Sequence, residues 1–354
     1  MPSRRSFLTG LIAAGSVPRL GWADAGAPAF LAAGRSTDGH YVLCGLRVTG
    51  DIAFRLPLPD RGHAAAAHTK APEAVAFARR PGTFALILDC ARGDVVARLA
   101  APTGRHFYGH GAFDSAGDLL LTTENDIDTG VGRIGLWSRA KGYMRVGDIE
   151  SGGIGPHEVI RLKDGGFAIA NGGIRTHPDT GRAKLNLDTM RPNLTILNAD
   201  LSPRDQVQLP PSLSQHSLRH LAEGPNGLIA CAFQWQGDIA DSPSVLGLYR
   251  PDGGLILAPV EPTDAVAMQG YAGSVAVART RIAVTGPRGA LALVTDLGGN
   301  TRHRLRKSEI CGAAAHDEGL ILTDGWGGLH GVDQGKITRI AQHELDWDNH
   351  LVAL

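Results

Sequence analysis

The chain carries no excess charge of either sign, with 35 Lys and Arg against 35 Asp and Glu in 354 residues. A general nucleic-acid binder needs a basic footprint, so that class is excluded. Cysteine is scarce, at four residues with no two closer than 46 positions and no Cys-x-x-Cys. In an oxidising compartment these could pair. Their spacing suits instead Cys44, Cys90, Cys231 and Cys311 as buried thiols in strands, and it leaves no attachment site for covalent haem. Beyond the N-terminus no window is long and apolar enough to span a bilayer. Helical periodicity is almost missing, as are Gly-x-Ser-x-Gly, the Walker A loop and His-Glu-x-x-His.

What is abundant is glycine, 47 residues, nearly twice the usual ~7%. Hydrophobic residues at 43% and charged residues at 20% are enough for a large core. The first residues read as an address. Arg4-Arg5 within Ser3–Leu8, followed by Leu11–Ala14, resembles a twin-arginine export signal, with Ala23-Asp24-Ala25 as a small-residue cleavage site. Residues 1–25 are thus expected to be a signal peptide and 26–354 a periplasmic domain with no membrane association after cleavage. Twin-arginine cargo crosses folded, often with its cofactor already inserted.

Short β-rich runs recur between Gly, Asp, Asn and Pro, which makes the chain all-β. A unit of two apolar strands around a polar turn repeats from Glu73, His110, His157, His220, Ala272, Cys311 and His350. The intervals of 37, 47, 63, 52, 39 and 39 residues bracket the ~40–50 of four-stranded propeller blades. The last unit stops after one strand, whereas the N-terminal runs from Pro28, His40 and Ile52 lack a first strand. The expected fold is a seven-bladed β-propeller closed by pairing the C-terminal strand with N-terminal strands.

Four of the seven unit starts are histidine. Propeller symmetry brings such positions to one end of a central channel, so His110, His157, His220 and His350 are expected to ligate one transition-metal ion. Imidazoles suit iron or copper, with zinc less favoured here. Glu124 and Glu158 are candidate partners for the rings, and Glu73, Ala272 and Cys311 occupy the remaining slots. His63 and His68, flanking Ala64–Ala67, read as surface-loop residues that could reach the channel mouth. The polar insertion 171–193, with His177 and Asp179, is expected to lie over one face and control access. The spacing of His216 and His220 gives no helical ligand pair.

The segments Phe107–Trp137, Gly153–Val159, Asn171–Met190, Ser217–Ala222 and Trp347–Leu351 resemble the bacterial family called domain of unknown function 1513. That resemblance implies an exported seven-bladed propeller, encoded beside imelysin-like proteins and a di-haem oxidoreductase in iron-responsive loci. These would be its partners. In architecture alone it is similar to carotenoid cleavage oxygenases and to the copper propeller of nitrous oxide reductase. The expected function is periplasmic iron or copper handling. Two rival readings are a non-haem metal oxidoreductase using an open position on the ion, and a metal-free scaffold docking proteins on its rims.

Overall fold

In the computed structural model, residues 20–79, 83–181, 183–317 and 319–354 are described. The twin-arginine segment lies outside them. Seven antiparallel sheets follow one another along the chain. Six are built from four consecutive strands, whose innermost members are Gly62–Ala67, Arg105–Phe113, Pro156–Arg161, His216–Glu223, Ser274–Val277 and Ile310–His316. The seventh joins both ends of the chain. Phe30–Ser36 pairs on one side with Tyr41–Leu46 and on the other with Leu345–Trp347 and Val352–Ala353. The protein is therefore a seven-bladed β-propeller, and its closure removes the open sheet edge that invites aggregation.

Burial changes with distance from the axis. The second strands, such as Ala-rich Glu73–Ala78 and Phe167–Asn171, are buried almost throughout, whereas outer strands such as Thr301–Arg306 expose every second residue. Apolar side chains pack mainly between neighbouring blades. Val75, Phe77 and Ile87 of one blade, for example, meet Phe107, Leu120 and Trp137 of the next. The core thus lies between the blades, which leaves the axis open to polar groups. Where the ends join, a Cβ on Gly34 would lie 3.0 Å from the Trp347 ring, so any larger residue there would press on that ring.

All four cysteines are buried and free. No helix among the described residues is long and apolar enough to cross a membrane. Ahead of the first strand, Trp22 donates its indole N–H to the His68 carbonyl at 2.9 Å, and Ala25 is buried against Leu31 and Leu56.

Candidate metal centre

Pairing between the inner strand and its neighbour slips where the histidines stand. The register shifts between Gly62 and Ala65, between Phe107 and Gly111, between Pro156 and Glu158, and between Leu218 and His220. His63, His110, His157 and His220 lie within or at the edge of these irregularities. A bulge bends its strand and re-aims a side chain, which fits rings directed to the axis rather than into a blade face. In the closing blade the inner strand is broken between Trp347 and Val352, and His350 stands in that break. Gly109, at φ +96°, permits the turn before His110, and any Cβ there would meet the His63 ring at 3.0 Å.

Five imidazoles from five successive blades therefore meet. Ring centroids are 4.5 Å apart for His63 and His350, 5.0 Å for His63 and His110, and 5.0 Å for His110 and His157. They are 4.8 Å apart for His157 and His220, and 4.7 Å for His220 and His350. Two overlapping trios, His63/His110/His157 and His110/His220/His350, each have candidate ligand nitrogens within 4.8 Å of one another. Among the described residues Ser274 and Ala313 represent the two remaining blades in the channel wall.

Two carboxylates back this cluster. Glu158 lies 3.3 Å from His110 Nδ1 and 3.7 Å from His220 Nδ1. Asp348 lies 3.4 Å from His63 Nδ1, and it also accepts from Arg61 and Arg79 at 2.7 Å each. On the opposite side of the rings, His63 Nε2 is 3.3 Å from His110 Nε2. If each Nδ1–H points to its carboxylate, two bare nitrogen lone pairs face one another across that gap. A tetrahedral ion with bonds of ~2.0–2.1 Å holds its ligands about 3.3–3.4 Å apart.

Burial disfavours the charged form of His63, His157, His220 and His350. It pushes His63 down to about 3 despite Asp348, and it lowers His220 despite Glu158. His157 and His350 are driven well below the ordinary imidazole range by burial, with neighbouring cations and imidazoles adding to the effect. Burial opposes ionisation of Glu158, but His110 and His220 outweigh it and hold the carboxyl down at about 2. His157 Nδ1 and His350 Nε2 are buried without a hydrogen-bond partner among the described residues. An orphaned buried nitrogen is costly, and a cation would relieve it.

The cluster separates two cavities. The larger, about 400 Å³, is lined by Ala64–Ala67, Ala112 and aliphatic groups such as Val275 and Leu351. The smaller, about 250 Å³, is polar and includes Ile174, Thr176 and Lys184 of the insertion. His220 borders both.

Sequence reasoning found four of the five rings and misplaced several neighbours. Glu73 begins a second strand rather than an innermost one. It binds Arg139 at 2.6 and 2.9 Å and also Tyr143, in the next blade. The slot given to Glu73 belongs to His63, which is part of the cluster and not a surface-loop residue. Glu124 is fully buried with Arg145 at 2.7 Å and Thr122 at 2.9 Å, on a second strand, and supports no ring of the cluster. Cys311 is packed between blades against Thr323 and the Asp348 carbonyl, and burial raises its thiol to about 12.

His68 borders the larger cavity, where its Nδ1 accepts the N–H groups of Lys70 and Ala71. His177 and Asp179 form a local turn, with the Asp179 N–H 3.2 Å from His177 Nδ1. His216 is stacked on Phe233 and hydrogen-bonded to the Ser244 carbonyl, outside the cluster. Asp348 was also missed. The signal available was a small residue or proline directly before the ring, as in Gly62-His63, Gly109-His110 and Pro156-His157.

The fold is similar to solved structures at low identity. Hydrazine synthase of Kuenenia stuttgartiensis superposes with a TM-score of 0.57 at 10% identity, over 86% of this chain and 89% of that one. The computationally designed Ika8 protein gives a TM-score of 0.54 at 14% identity, over 90% and 87%. Such likeness concerns architecture alone. No curated protein matches the chain. A family model described as protein of unknown function (DUF1513) matches residues 56–354, and the chain belongs to that family.

Proposed function

We propose that the protein binds one transition-metal ion in the channel and serves iron or copper handling. The observation that carries this reading is the 3.3 Å approach of His63 Nε2 to His110 Nε2 while each ring's Nδ1 is backed by a carboxylate. Carboxylate–histidine pairs of this kind orient metal ligands and raise their basicity. His110 belongs to both trios and is the central ligand of the proposed site. His157, His220 and His350 complete the set, with His63 as a further donor. An all-imidazole set suits iron, copper or zinc rather than magnesium or calcium. Bound here, iron or copper would supply redox chemistry.

The chain's own contribution is to disfavour protonation of His63, His157, His220 and His350 by burial, and to orient His63, His110 and His220 through Asp348 and Glu158. A second reading, a metal oxidoreductase, is favoured by the cavities on both sides of the cluster, which would give small molecules access to an open coordination position. The proposed setting is the periplasm, resting on Arg4-Arg5 and the apolar run after them.

Metal analysis of the full chain, folded in the presence of iron, copper and zinc and then desalted, tests this reading. About one equivalent of iron or copper is expected in the parent protein, and far less in a folded His110→Ala/His220→Ala variant. A parent protein that retains no metal from any of the three would overturn it.

A further inference from the structure

The smaller cavity has a feature the metal reading does not use. Four cationic side chains line it, Arg79, Lys184, Arg219 and Arg288, and no Asp or Glu does so among the described residues. They come from distant parts of the chain: the end of the Glu73–Ala78 hairpin strand, the 171–193 insertion, the innermost strand His216–Glu223, and the turn after Arg281–Gly286. Lys184 and Arg288 are exposed at the mouth, whereas Arg79 and Arg219 are half-buried beside the imidazoles.

The cations flank different rings. Arg79 acts on His63 and His350, and Asp348, the carboxylate it meets among the described residues, is shared with Arg61. Arg219 acts on His157 and His220. Partial burial and the nearby charges of Arg219 and Arg288 pull the Lys184 ammonium below its ordinary range. Arg288 lies over Tyr271, its guanidinium carbon 4.0 Å from the centre of the ring.

The insertion wall is also fixed. Asn186 accepts the Arg175 N–H at 2.7 Å and donates to the Gly173 carbonyl at 2.8 Å, while the Arg175 side chain donates to the Asp128 carbonyl at 2.6 Å. Cations gathered around a preformed, walled cavity give it a positive potential that favours an anion.

We propose that this cavity binds a small di- or tricarboxylate, with one acid group toward Arg79 and another toward Arg219 and Arg288. Guanidinium forks match carboxylates in bidentate geometry. Cations that flank different imidazoles suit separated acid groups better than one compact ion. At about 250 Å³ the cavity favours a small ligand. The site stands on these side chains alone and needs no metal.

Calorimetric titration of the metal-free full chain with citrate tests the proposal, with inorganic phosphate and glycerol as comparators. One citrate is expected per chain, with affinity falling as salt rises. In a folded Lys184→Gln/Arg288→Gln variant the affinity should drop about tenfold or more, and glycerol should not bind. Absence of citrate binding to the folded parent protein, or unchanged affinity in the variant, would overturn the proposal. Phosphate binding as tightly as citrate would overturn the polycarboxylate class. A His110→Ala/His350→Ala variant, whose substituted rings line the other cavity, should keep its citrate affinity, so failure of this site and failure of the metal reading are read separately.

Discussion

Glu158 accepts the backbone N–H of Leu221 at 2.6 Å, which ties the carboxylate to the neighbouring blade next to where it meets His110. The group is therefore held from two sides, and its orientation does not depend on an occupied site. Glu158→Gln should leave the fold intact and weaken metal affinity by about 10–100-fold, the usual effect of removing such a partner. Competition with a chelator of known affinity measures this, and an unchanged affinity would remove Glu158 from the account.

Glu73 predicts the opposite pattern. It clamps Arg139 and Tyr143 across a blade boundary. Glu73→Ala should cost about 2 kcal/mol of stability, the range for hydrogen bonds to charged groups, and leave metal content as in the parent. Denaturant unfolding and metal analysis of the same preparation check both halves. Loss of metal from a folded Glu73→Ala protein would restore the channel role expected from sequence.

These two glutamates mark what was legible in the sequence and what was not. Blade number and circular closure could be read because each blade repeats the same strand–turn–strand pattern and the last unit ends after one strand. His110, His157, His220 and His350 could be read for the same reason. Glu73 was assigned to the axis because its blade begins with the alanine run Ala64–Ala67, whose pattern resembles a loop as much as a strand. The true inner strand, Gly62–Ala67, therefore escaped, and His63 with it. Asp348 was invisible because its role depends on the break between the two C-terminal strands, which only pairing with Phe30–Ser36 defines.

The closure itself can be tested at Gly34. Gly34→Val places new carbon against the Trp347 ring and should destabilise the protein by about 1–3 kcal/mol through overpacking. Adding Trp347→Ala should recover part of that loss, since the clash partner is removed. Two single variants whose costs simply add would argue against the contact.

Acid should weaken the metal-free protein earlier than carboxylates alone would. In the unfolded chain the histidines titrate near 6.5, whereas burial lowers His220, lowers His157 and His350 further, and takes His63 down to about 3. Below 6.5 the unfolded state binds more protons than the folded one, so stability falls as pH falls. Glu158, held at about 2, and Glu73, held low by Arg139 and Tyr143 against burial, add losses of the same sign below about 4.5. Thermal unfolding of metal-free protein from pH 8 to 5 should show a decreasing midpoint, and His350→Asn should flatten the slope. A midpoint independent of pH over that range would contradict the buried neutral cluster.

The most direct measurement is X-ray absorption on the full chain loaded with one equivalent of iron or copper. The account expects at least three nitrogen ligands near 2.0–2.1 Å with the outer-shell pattern of imidazole, reduced in the His110→Ala/His220→Ala variant. A spectrum of oxygen ligands without imidazole, or one identical in parent and variant, would contradict it.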